Sequence, residues 1–136
     1  MAARLVGGIP RFGHISEYMR DVLHWIPVQS RIHFRVSSFA WRCVLGTGPL
    51  YLLELFTLAS TTLGRRSLRS ASRGDFMVPY ARTAARQNRV FSVTEPSVWN
   101  GLPYNLRSYP RNMSGTFYRL LKTFLFDWAW VGSASK

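Results

Sequence analysis

The sequence predicts a mainly α fold: a small irregular helical domain with a minor β element around residues 76–93. Two long segments carry apolar residues at helical spacing, and Gly and Pro cut the rest of the chain into short elements. With 136 residues, 47% of them apolar and 15% aromatic, there is material for one small packed domain. A chain left disordered for want of hydrophobic residues is excluded.

The elements follow in order. Ala2–Val6 reads as the last turn of a helix that begins upstream, stopped by Gly7, Gly8 and Pro10. Ser16 is placed to cap a short helix from Glu17 to about His24, with Glu17 near its positive end. Pro27 marks a new start, because proline suits a first helical turn. From Val28 to Leu45, residues Ile32, Val36, Phe39, Ala40, Cys43 and Val44 recur at helical spacing, opposite a more polar face of Arg31, Arg35, Ser38 and Arg42. Phe34 and Trp41 widen the apolar surface, so this helix is expected to be covered on two sides. Gly46 and Gly48 end it, and Pro49 opens a short helix through Phe56.

Residues 59–75 lose periodicity and read as a basic loop. Phe76–Val78 is a short β-prone run closed by Pro79, suited to a sheet edge. A second strand is expected at Val90–Val93, then a short helix with Thr94 as cap, Pro96 in the first turn and Asn100-Gly101 as its end. Phe117, Leu120, Leu121, Phe124 and Leu125 match the helical template, with Ser114 as cap and an end near Trp128 or Trp130. The outline is a single small domain or fragment over 1–136. It comprises a helical part (2–58), a basic loop (59–75), a mixed β/α part (76–103) and a C-terminal helix (113–130).

Charge is the strongest functional signal. Eighteen Lys and Arg stand against six Asp and Glu, a formal +12, and sixteen of the eighteen are Arg. Such a chain attracts polyanions, so nucleic acid or an acidic membrane is the expected partner class. Arg65, Arg66, Arg69, Arg73, Arg82, Arg86 and Arg89 set seven cations against Asp75. Guanidinium groups bind phosphate bidentately, and Ser67, Ser70 and Ser72 add hydroxyl donors. These arginines are the candidate phosphate-binding residues; the alternative is a solvated basic loop. Nothing in the pattern points to sequence-specific base readout. Phe76 and Tyr80 lie beside the cluster, either stacking on bases or packing inside.

Other chemistries are poorly served. The acids Glu17, Asp21, Glu54, Asp75, Glu95 and Asp127 include no adjacent pair to hold the two metals of a polymerase. Glu17 and Asp21, four apart, more naturally offset Arg20 and a helix terminus than bind metal. His14, His24, His33 and Cys43 do not match zinc-ligand spacing, and a single cysteine excludes a disulfide framework. Burial on an apolar helix face would raise the Cys43 thiol pKa and quench it as a nucleophile. No catalytic residue, cofactor or metal is therefore expected. Trp25, Trp41 and Trp99 are expected in the core, with Trp128 and Trp130 at a half-exposed helix end.

The first twenty residues lack the apolar run of roughly 7–15 residues that a signal peptide needs. The longest uncharged stretch between Val36 and Leu63 is Cys43–Leu53, 11 residues, against the roughly 20 that span a bilayer. A nuclear or cytoplasmic location is expected, without secretion or a transmembrane segment.

Taken in order, several segments resemble one family. They are Ala2-Ala3-Arg4-Leu5-Val6, His14-Ile15, Leu23-His24-Trp25-Ile26-Pro27-Val28, Arg31-Ile32-His33-Phe34-Arg35-Val36 and Gly48-Pro49-Leu50-Tyr51-Leu52. Then come Arg66-Ser67-Leu68-Arg69-Ser70, Val78-Pro79, Arg89-Val90-Phe91-Ser92-Val93, Trp99-Asn100-Gly101-Leu102-Pro103 and Phe117–Phe126 with its Leu121-Lys122-Thr123. The ordered set, covering about residues 2–127, resembles the C-terminal region of the reverse transcriptase (RNA-directed DNA polymerase) polyprotein of LINE-type, non-LTR retrotransposons. Three departures mark a drifted copy. Leu45-Gly46 stands where the family usually has His-Gly, and Tyr80 where it has a basic residue. Gln87-Asn88 lie where a glycine precedes its Arg-x-Phe-Ser segment.

The resemblance implies a non-catalytic accessory segment that lies after the polymerase fingers and palm and helps hold template RNA or target DNA. RNA or DNA, bound without sequence preference, and the upstream reverse-transcriptase domain are the partners it implies. Self-association through the C-terminal helix is a further expectation from its apolar stripe. The alternative is a structural or interaction remnant, or translated relic, with no retained biochemical activity.

Overall fold

A computed structural model describes residues 2–61, 73–79 and 91–130. Seven α-helices lie among them: α1 (Ala2–Gly7), α2 (Ser16–Asp21), α3 (Val28–Val44), α4 (Leu50–Leu55), α5 (Phe91–Asn100), α6 (Tyr104–Arg107) and α7 (Ser114–Trp130). A 3-10 turn spans Ala59–Thr61. The fold is mainly α.

Helix α3 is the axis of the structure and packs against both α5 and α7, so it is covered on two sides. Its buried face is not the expected stripe. Ser30, Ser37, Ala40 and Trp41 are buried, whereas Ile32 and Phe39 remain 55% and 39% exposed. The largest side chain sets the rotation. Trp41 stacks on Phe117 with ring centroids 4.0 Å apart and 10° between planes, and lies 6.5 Å from Trp99 with 30° between planes. Serines at 30 and 37 add little bulk beside it, which lets neighbouring helices approach closely. Gly46, with φ +71, then takes the left-handed turn that ends the helix, as its position predicts.

Around that stack sit Phe56, Phe76, Leu52, Leu102, Leu106, Leu121 and Leu125. Aromatic pairs in such offset arrangements add roughly 0.5–1.5 kcal/mol beyond their buried area. Trp41 and Trp99 are fully buried, as expected, whereas Trp25 is only partly buried and lies outside the core, and Trp128 is half-exposed. On α7 the buried residues are Phe117, Leu121 and Leu125, each one turn above the last, while Leu120 faces outward. Ser114 lies inside the helix, where its hydroxyl accepts from Trp41 Nε1 at 3.3 Å. In α2, Ser16 is likewise the first helical residue rather than the cap, and Ile15 offers no side-chain cap bond. That helix stops at Asp21 because the backbone turns at His24 (φ 48), where the Trp25 N–H donates to the Met19 carbonyl at 2.8 Å.

The expected β element is corrected. Residues 91–93 are helical, Thr94 lies within α5, and Pro96 is inside the helix rather than in its first turn. Val90 lies outside the described residues. The β-branched run Val93-Thr94 favours a strand locally, but burying Val93, Glu95, Pro96 and Trp99 on one helical surface overrides that preference. What remains of the β reading is one isolated antiparallel bridge, Leu58 to Phe76. It does not extend because the Phe76 flank that would accept another strand is occupied by a side chain, described next.

Candidate nucleic-acid interface

The arginine-rich part of the chain is fastened to the core at residues 73–76. The Ala59 N–H donates to the Asp75 carbonyl and the Met77 N–H to the Thr57 carbonyl, both at 2.9 Å. The Phe76 N–H and carbonyl therefore point to the opposite side. There the Asn100 side chain meets both: its Oδ1 accepts from the Phe76 N–H and its Nδ2 donates to the Phe76 carbonyl, each at 2.9 Å. One carboxamide thus stands in for a neighbouring strand. Asn100→Ala leaves both Phe76 groups unpaired, with an expected loss of about 2–4 kcal/mol, readable as a lower urea midpoint with unchanged slope.

Gly74, with φ +68, makes the turn before this point, and its carbonyl accepts from Trp99 Nε1 at 2.9 Å. Asp75 forms an ion pair with Arg107, whose Nε also donates to the Leu102 carbonyl at 2.9 Å. The Arg107 pKa is lowered, first by burial and then by the positive charge of Arg73. Arg73 itself is exposed. The Ala59–Asp75 and Met77–Thr57 bonds tie the described residues on either side, 57–59 and 75–77, to one another.

Of the seven candidate arginines, Arg73 is therefore held at the surface by a rigid anchor. Arg65, Arg66, Arg69, Arg82, Arg86 and Arg89 lie outside the described residues, as does Tyr80. Phe76 is buried against Phe56 and Trp99, so it is not available for stacking on bases. The anchor residues Trp99, Asn100 and Arg107 were not singled out as site residues by sequence reasoning. Asn100-Gly101 signals only a helix end, and a pairing 24 residues away leaves no local trace.

Several of the other reactive groups are packed or paired. Asp21 forms an ion pair with Arg20 at 2.6 Å, and that hydrogen bond lowers its pKa. Burial pushes the Cys43 thiol up to about 11, with the neighbouring Glu95 charge adding to it. His24 sits edge-on to Phe126 and His33 lies against Trp128. Among the described residues no three His, Cys, Asp or Glu side chains come together as a metal site.

Glu95 is a second charge-bearing group, with Arg107, that sequence reasoning underrated. It is 0% exposed, and its carboxyl oxygens have no hydrogen-bond partner among the described residues. Burial pushes its pKa up to about 8. The available signal was its spacing: Glu95 and Trp99 are four apart on one helix, so they share a face.

No helix among the described residues is long and apolar enough to cross a membrane. No family model, curated protein or solved structure matches the chain.

Proposed function

We propose that this chain is a non-catalytic nucleic-acid-binding segment that grips RNA or DNA phosphates without sequence preference. Its binding residues are Arg65, Arg66, Arg69, Arg73, Arg82, Arg86 and Arg89, and it acts in the nucleus or cytoplasm. The resemblance to the C-terminal region of a LINE-type reverse transcriptase supports this reading, as does the formal +12. The observation that carries it is the anchor. Arg73 is exposed directly beside a turn fixed by Trp99, Asn100 and Arg107, which presents charge from a rigid base instead of a free tail.

The test is titration of a labelled RNA across a salt series. If about five arginines contact phosphates, the log–log slope should be roughly −3.5 to −4.5. Reversing Arg65, Arg66 and Arg69 to Glu should weaken binding and flatten that slope, with the helical circular dichroism retained. An unchanged slope in a folded variant defeats the proposal.

A second reading, an interaction remnant, is favoured by the N-terminal surface. Leu5 and Phe12 are 82% and 92% exposed, apolar area of the kind that a partner such as an upstream polymerase domain would cover. Self-association through α7 has less to work with, because Phe117, Leu121 and Leu125 already lie in the core.

A further inference from the structure

Helix α3 carries Arg31, Arg35 and Arg42 on one exposed ridge, spaced four and seven residues apart. The ridge runs about 16 Å along the helix axis at a rise of 1.5 Å per residue. Helix α3 contains no acidic residue to balance it. Beside the ridge, α3 and α7 frame two open depressions. The larger, about 380 Å³, is lined by Phe34, Arg35, Ser38, Phe39, Arg42 and Tyr118. The smaller, about 170 Å³, is lined by Trp25, Ile26, Arg31 and Lys122. No carboxylate lines either one.

The larger depression has a defined construction. Phe34 and Tyr118 meet across the two helices with ring centroids 6.5 Å apart, and Phe39 stands half-exposed. Ser38 commits its hydroxyl proton to the Phe34 carbonyl at 2.6 Å, so the two guanidinium groups and the Tyr118 hydroxyl are the donors left among the lining residues. Arg35 and Arg42, two helical turns apart, lie about 10 Å from each other along the axis. Like charges held beside aromatic faces, without a carboxylate, repel one another unless an anion lies between them. An anion that also carries flat apolar rings uses both features.

We propose that the groove between α3 and α7 binds single-stranded nucleic acid, with phosphates on Arg35 and Arg42 and a base stacked on Phe39. A single strand is required because a duplex hides its base faces, whereas an exposed ring stacks on any unpaired base. The neighbouring Arg31 and Lys122 extend the backbone path. Arg31 is already oriented by its Nε bond to the Ile26 carbonyl at 2.9 Å and by its seat over the Trp25 ring. The inference rests on the nucleic-acid reading above for its ligand class, but it uses a surface that shares no residue with the 65–89 arginines.

The test uses the full chain and a short fluorescein-labelled oligothymidine, followed by anisotropy over a salt series. Arg35→Ala combined with Arg42→Ala should flatten the log–log salt slope by about 1.4, the value for two single-strand phosphates. Phe39→Ala should weaken binding about tenfold and leave the slope alone. An abasic oligonucleotide of equal length should show the same loss with the parent protein, and no further loss with Phe39→Ala. These side chains are exposed, and far-UV circular dichroism checks that each variant folds.

Parent-like binding by both groove variants overturns the proposal, as does equal affinity for the abasic strand. If Arg65→Glu, Arg66→Glu and Arg69→Glu together abolish binding while the groove variants bind normally, the groove fails and the arginine segment stands. The opposite pattern supports the groove and removes the segment. If phosphatidylserine vesicles lose binding in Arg35→Ala/Arg42→Ala while oligothymidine does not, the groove serves a membrane surface and the proposal is wrong.

Discussion

At about pH 8.5 the Glu95→Gln variant is expected to melt well above the parent protein, and near pH 5 the two should melt together. The carboxyl titrates at about 8 in the folded state and near 4.5 when unfolded. Between those values the folded chain keeps a proton that the unfolded chain has released. Stability from this group is therefore complete below about 4.5, declines as pH rises, and is gone above about 8. At about 1.4 kcal/mol per pH unit, the decline is on the order of 5 kcal/mol. For a domain of this size that corresponds to a shift on the order of 10–20 °C in melting temperature. Glutamine is neutral at every pH and removes the decline. Thermal melts followed by circular dichroism at the two pH values decide it, and a parent Tm that does not fall with pH refutes the assignment. The direction is unusual. Most carboxylates stabilise a fold by being charged, and this one does so by being neutral.

Trp99→Ala is expected to remove a large share of the fold's stability. Trp99 is fully buried, packs near Trp41, Phe76 and Phe117, and fastens the Gly74 turn through its indole N–H. Truncating a buried Trp costs about 3–5 kcal/mol. Total stability for a small domain is only about 5–15 kcal/mol, so the variant should melt well below the parent. Trp99→Phe keeps a ring but loses the donor to Gly74, and should cost about 1–2 kcal/mol from that bond along with some packing. Urea denaturation of both variants separates packing from anchoring. If Trp99→Ala melts like the parent, the aromatic stack is not the centre of the fold.

The long elements were legible because periodicity is a local signal. Val28–Val44 and Ser114–Trp130 fall within a residue or so of the segments that the apolar spacing marks. The orientation of α3 was not legible in the same way. Counting apolar residues puts Ile32 and Phe39 inside, but the volume of Trp41 and the small size of Ser30 and Ser37 decide which surface the neighbours can approach. Residues 91–93 mislead because local β preference says nothing of the helix against which they pack. The candidate site divides in the same fashion. The arginine excess is visible in composition, whereas the device that holds Arg73 depends on side chains from Trp99, Asn100 and Arg107, which no spacing rule connects to it.

The Trp41–Ser114 bond closes a separation of 73 residues, and this has a consequence for the chain as it is being made. Helix α3 emerges from the ribosome well before α7, the helix that covers it. At about 5–20 residues per second the delay is roughly 4–15 s. Throughout that interval Trp41 has no Phe117 to stack on, and a nascent, positively charged helix stands with its aromatic face uncovered beside the ribosomal RNA. Survival in the cell then depends on what shields that face before the last helix arrives.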